Sequence, residues 1–130
     1  MMEDRYQRGW DKLMSIDTEA IRRVVDAMEG VAPDLARFVV EFPYGDVFSR
    51  PGLALRSREM ITVAALCALG NAEPQLKVHM NAALNVGVTR TEIVEIVLQM
   101  AVYAGFAVAL AGMAAAREVF SQREAQGITN

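Results

Sequence analysis

The chain has one cysteine, Cys67, and one histidine, His79. A lone cysteine excludes an internal disulfide, a Cys-x-x-Cys redox pair and a cysteine-built zinc site. Set within Val63-Ala64-Ala65-Leu66-Cys67-Ala68-Leu69, it reads as a small buried hydrophobe. Basic charge is scarce: 13 Lys and Arg stand against 16 Asp and Glu, for a formal net charge of −3. That leaves no basic field for nucleic acid, and no run of like charge marks a tail. Strand patterning is missing too, because apolar and polar residues nowhere alternate long enough to make one. Met1 to Trp10 is charged and lacks the apolar stretch of a secretory signal, so the expected location is cytoplasmic.

What the chain does have is apolar side chains. They make up 53% of 130 residues with glycine left out, above the usual share for a soluble domain. The length suits a single domain over 1–130. A domain this small leaves much of its surface exposed, so the excess must go to a membrane or to a subunit interface. The membrane candidate is Ile96 to Ala116, where Gln99 is the only clearly polar side chain. It is long enough to span a bilayer. However, it is built of Ala and Gly, is punctuated at Ala104-Gly105, and has no Lys/Arg asymmetry at its ends. The better reading is a buried segment with no membrane, and the expectation is a homo-oligomer.

The pattern is helical almost throughout. Glu3 to Met14 reads as a first helix, and Asp17 or Thr18 can cap a second with an apolar stripe of Ile21, Val24, Val25 and Met28. Pro33 opens a third, Asp34 to Phe42. Pro43 to Leu55 reads as a loop. Ser57 caps a fourth helix that Gly70 stops, and Pro74 opens a fifth that Gly87 ends. Thr89-x-x-Glu92 is a capping box for a sixth, and a seventh runs from about Phe106 to Arg123. In the last helix Gly105, Ala109, Gly112 and Ala116 line one face, which suits a tight helix pair in the core or between subunits. The class is all-α, with six to seven helices.

Two places stand out chemically. The segment Tyr44 to Leu53 carries an acid, an arginine, a hydroxyl and aromatics between Pro and Gly residues, and such loops on rigid scaffolds tend to hold function. In the fifth helix His79 lies about sixty degrees from the apolar stripe of Leu76, Met80 and Ala83, one turn after Gln75. There it can line a pocket and stay reachable. The ordinary alternative for a lone histidine is a structural hydrogen bond. For Glu73–Lys77 the ordinary reading is a solvated i,i+4 ion pair.

Four blocks together resemble the carboxymuconolactone decarboxylase family: Arg5-Tyr6-x-x-Gly9, Gly45-Asp46-Val47-Phe48-Ser49-Arg50-Pro51-Gly52-Leu53, Gln75-Leu76-Lys77-Val78-His79 and Gln99-Met100-Ala101-Val102-Tyr103-Ala104-Gly105. The resemblance implies the all-helical fold of the alkylhydroperoxidase D-like proteins, assembled as a trimer or a hexamer. It also implies an enzyme without a cofactor or metal that removes carboxylate from a lactone in aromatic degradation. Peroxidase-type members of the wider group carry Cys-x-x-Cys seven and four residues before the histidine, where this chain has Ala72 and Gln75. Thiol-disulfide chemistry needs that pair, so peroxidase activity is not expected. Two further departures concern the decarboxylase pattern, which has Trp at the place of Phe48 and an acid at the place of Gln75.

Decarboxylation next to a lactone leaves a dienolate. A site without a cofactor must hold the carboxylate, stabilise the oxyanion and return a proton to carbon. Arg50 suits the carboxylate, because a guanidinium binds it bidentately; its ordinary alternative is a surface pairing with Asp46. His79 suits the acid, since it titrates near neutrality. Tyr44 or Tyr103 would donate to the oxyanion, with half-buried packing as the alternative for both. Gln75 would hydrogen-bond the imidazole. The expectation is that the Tyr44–Leu53 loop folds over the fifth helix, so that Arg50 and His79 face one cavity. The substrate would be a small-molecule acid or lactone. An isomerase or lactone-acting enzyme of the same fold, or a non-catalytic small-molecule-binding oligomer, stays open as an alternative.

Overall fold

A computed structural model describes residues 4–130 of the chain. Among the described residues there are seven α-helices, one π-helical segment and no strand, as the all-α reading expects. They form two compact units, one ending at Ala54 and the other spanning Leu55–Asn130.

The N-terminal unit contains α1 (Arg5–Ile16), α2 (Ala20–Met28), α3 (Pro33–Val39) and the π-helical segment Val40–Phe48. Asp4 caps α1 by accepting from the Tyr6 N–H at 2.9 Å, while the expected start at Glu3 lies outside the described residues. Asp17 Oδ1 accepts from the N–H groups of Glu19 and Ala20, satisfying donors at the start of α2. Pro33 takes the first turn of α3, where its missing N–H costs nothing.

The main departure from the sequence reading comes next. Residues expected as the end of a helix and the start of a loop continue helically through Phe48, in a wider π wind. Pro43 sits inside this segment. It has no N–H for the carbonyl four residues back, and its ring crowds that carbonyl. The chain answers by widening rather than by stopping. A π wind is rare and recurs at functional sites.

This segment packs closely on α1. A Cβ on Gly9 would overlap the carbonyl oxygen of Val40, and one on Gly45 would overlap the carbonyl oxygen of Arg5. Both positions therefore need glycine to let two backbones touch. Leu13, Ile21 and Val40 form the small core of this unit, with Tyr6, Trp10, Met14, Val24 and Tyr44 packed against it.

The C-terminal unit contains α4 (Leu55–Leu69), α5 (Glu73–Asn85), α6 (Arg90–Tyr103) and α7 (Phe106–Ala125). Ser57 falls inside the first turn of α4 rather than capping it. The Thr89–Glu92 capping box is present in both directions, with bonds of 3.1 and 2.9 Å. Glu92 also pairs with Arg56 and so ties α6 to α4.

Gly105, at φ 104°, breaks the apolar run between α6 and α7. No helix among the described residues is long and apolar enough to cross a membrane. The core holds Val63, Met80, Leu84, Ile93 and Val97, each fully buried or nearly so. Burying such a side chain contributes about 1.5–3 kcal/mol. The small residues of α7 face this core: Ala109, Gly112 and Ala116 are buried, and a Cβ on Gly112 would sit 2.8 Å from Cys67 Sγ. Of the two readings left open for that face, packing within one chain accounts for Ala109, Gly112 and Ala116. Arg123, 3% exposed, holds α7 to α5 by donating to Asn81 and Asn85 at 2.7 and 2.8 Å.

Candidate functional site

Helix α4 turns three residues at four-residue spacing into its own unit: Glu59, Val63 and Cys67. Two of them are apolar. The third is a carboxylic acid with no exposed surface at all. A carboxyl group is rarely placed there unless it is paired, because burial removes its hydration. Its partner is His79 of α5, whose Nδ1 stands 3.0 Å from Glu59 Oε2. Glu59 Oε1 is buried with no hydrogen-bond partner. Leaving an acceptor unmatched costs about 1–3 kcal/mol, so packing alone does not explain this residue.

The His79 side chain keeps 17% exposure. An ionised carboxylate only accepts hydrogen bonds, so with Glu59 ionised Nδ1 carries the hydrogen. That leaves Nε2 as the nitrogen able to exchange a proton at the exposed edge. A buried acid orienting a partly exposed imidazole is an arrangement for moving one proton at one place.

Sequence reasoning selected His79 but missed Glu59. The signal was present, as Glu59 is in register with Val63 and Cys67 on the buried stripe of α4. Gln75, expected beside the imidazole, is exposed, and Nδ1 is taken by Glu59. Tyr103, the last residue of α6, is 79% exposed. Lys77 forms the expected pair with Glu73 at 3.0 Å and a second with Glu118 of α7 at 2.5 Å. The bond to Glu118, then that to Glu73, raises its pKa. Cys67 is buried with Sγ 3.6 Å from the Val108 carbonyl oxygen, and burial pushes its thiol pKa up, away from thiolate chemistry.

The other residues of interest belong to the N-terminal unit. Arg50 is exposed just beyond the π-helical segment, and its N–H donates to the Val47 carbonyl at 3.1 Å. With Arg8, Asp46, Ser49 and Pro51 it lines a shallow hollow of about 380 Å³. Asp46 is engaged by Arg5 and, at 3.2 Å, by Arg8, both from α1. Tyr44 is half-buried, with its ring centroid 4.9 Å from that of Phe48. Arg50 and Tyr44 on one side, and His79, Gln75 and Tyr103 on the other, are thus placed by different units.

A larger hollow of about 490 Å³ lies along α4 and α6, lined by Met60, Glu92, Glu95, Ile96, Leu98 and Gln99. Its lining carries the carboxylate of Glu95, that of Glu92 already paired with Arg56, and no cation to hold an acidic substrate. Among the described residues no group of three or more His, Cys, Asp or Glu is placed to hold a metal ion.

Comparison with known proteins bears on this geometry. The sequence model of the carboxymuconolactone decarboxylase family matches residues 33–118. A 4-carboxymuconolactone decarboxylase of Acinetobacter baylyi is 36% identical over 119 residues, covering 91% of this chain and 88% of that protein. An uncharacterized 15.0 kDa protein of Paracoccus denitrificans is 27% identical over 132 residues, 95% of this chain and 98% of its own length. A nitrosuccinic acid decarboxylase of Metarhizium robertsii is 39% identical over 67 residues, about half of each chain.

Proposed function

The chain belongs to the carboxymuconolactone decarboxylase family, and from that footing we propose that it is a cofactor-independent carboxy-lyase acting on a carboxylated lactone or a related small ring acid. The observation that carries the reading is the fully buried Glu59 set 3.0 Å from Nδ1 of the partly exposed His79. Two of the similar proteins are named as decarboxylases of different acids. That supports the reaction class more firmly than any one substrate.

In this reading Arg50 holds the substrate carboxylate that is retained or the lactone carbonyl. The bond to the departing carboxylate breaks, carbon dioxide leaves, and the electron pair spreads into a dienolate. His79 Nε2 delivers a proton to carbon and is reprotonated from solvent. Glu59 holds the imidazole in the tautomer and orientation that this transfer needs, and it faces the positive charge whenever the ring is protonated. Tyr44 donates a hydrogen bond to the oxyanion. Gln75 and Tyr103, both exposed, would act from the rim. The exposed apolar side chains Leu98, Val102, Tyr103, Phe106 and Leu110, clustered about the α6–α7 turn, support a homo-oligomeric assembly.

The test is release of carbon dioxide from 4-carboxymuconolactone. His79→Ala should lower kcat by about a hundredfold or more, the size typical of losing a positioned proton donor. Arg50→Ala should mainly raise KM. Undiminished turnover by His79→Ala, or no carbon dioxide from this lactone or from other small carboxylated ring acids, would overturn the assignment.

A further inference from the structure

We propose that Arg8 is a positioning residue for Arg50, acting through the end of the π-helical segment; this rests on the reading of Arg50 as the substrate anchor. The argument starts from backbone bookkeeping. In a π wind each carbonyl accepts from the N–H five residues on. The next N–H beyond the segment, that of Arg50, would therefore serve the carbonyl of Gly45. Instead it turns to the Val47 carbonyl at 3.1 Å, which ends the segment and starts the turn that presents Arg50.

Carbonyls released at a helix end need other donors. Side chains supply them here. Ser49 Oγ donates to the Tyr44 carbonyl at 2.6 Å, and Arg8 Nε donates to the Gly45 carbonyl at 2.6 Å. The guanidinium of Arg8 also reaches Asp46 Oδ1 through Nη2 at 3.2 Å. One planar fork from α1 thus grips two consecutive residues, the carbonyl of Gly45 and the carboxylate of Asp46. Gly45 has no Cβ to hold α1 away, and Asp46 is fixed a second time by Arg5. The last turn is clamped four residues before Arg50, and Arg8 and Arg50 line the same hollow. Lysine has no fork and cannot reproduce the grip.

The experiment is steady-state kinetics on 4-carboxymuconolactone with Arg8→Met, Arg8→Lys, Arg50→Ala and the Arg8→Met/Arg50→Ala double variant, each checked by thermal melting. Arg8→Met should raise KM about tenfold, as expected for losing charge-assisted hydrogen bonds that orient an anchor, with kcat changed less than about twofold. Arg8→Lys should raise KM severalfold with an unchanged melt, and this variant carries the test if Arg8→Met fails to fold. With Arg50 already removed, Arg8→Met should raise KM no further. An equal rise in both backgrounds, a fall in kcat instead of a rise in KM, or no effect from either Arg8 variant overturns the inference alone. Should Arg50→Ala leave KM unchanged, the anchor reading fails, and the inference falls with it.

Discussion

The Glu59–His79 pair makes an unequal prediction about stability. Replace His79 with Leu, and Glu59 keeps no partner on either oxygen while remaining fully buried. Orphaning a buried charge-capable group in this way typically costs about 3–5 kcal/mol. Replace Glu59 with Met instead, and the group left unpaired is an imidazole nitrogen on a side chain that is still 17% exposed. Water can partly serve it, so the cost should be nearer about 1–2 kcal/mol. Replace both, and no orphan remains: an apolar pair of similar volume fills the α4–α5 contact, and stability should return to within about 1 kcal/mol of the parent. Urea unfolding of the four proteins, with m-values compared to confirm the same transition, reads the three differences directly. All three variants should lose carbon dioxide release from 4-carboxymuconolactone. A double variant as unstable as the sum of the singles would refute the reasoning. So would His79→Leu with parental stability, since either outcome means that the pair does not share a buried environment.

Three other perturbations test separate parts of the structure. Gly112→Ala places a Cβ 2.8 Å from Cys67 Sγ and 3.0 Å from a Val97 methyl. It should cost about 1–3 kcal/mol as overpacking does, and Cys67→Ala in the same chain should recover part of the loss in thermal melts; strictly additive costs would contradict this contact. The pKa of Glu92 is held below its ordinary 4.5 first by the Arg56 hydrogen bond and then by the Thr89 cap. Its contribution to stability is therefore complete above pH 4.5 and lost as pH falls through the depressed value, and Glu92→Gln should flatten the acid side of the stability–pH curve; an unchanged curve would show that this pair is not coupled to folding. Light scattering at micromolar concentration should return an oligomer, and Phe106→Asp should shift it toward smaller species; a monomeric parent would remove the interface reading.

What the sequence disclosed and what it hid divide along a physical line. Helix ends were legible where a side chain or a ring constrains the backbone locally, as at Pro33, Asp17 and the Thr89–Glu92 box. The π-helical segment was not, because Pro43 followed by Gly45 is a stop signal to local reasoning. What keeps the chain helical there is tertiary: α1 lies against it through Gly9 and Gly45, and Arg8 caps its end. The site divided in the same way. His79 is conspicuous as the only residue of its type, and Arg50 sits among Pro and Gly residues, so both stand out as candidates in the sequence. Glu59 was passed over among Arg56, Ser57, Arg58 and Glu59, a run that looks solvated when read residue by residue. Only its register with Val63 and Cys67 shows that it points inward, and only the fold shows that α5 brings His79 to meet it. An acid in phase with a buried stripe is therefore the observation to seek before assigning an imidazole its partner. Here it replaces Gln75, one turn before His79, by a residue twenty positions away that has no exposed surface.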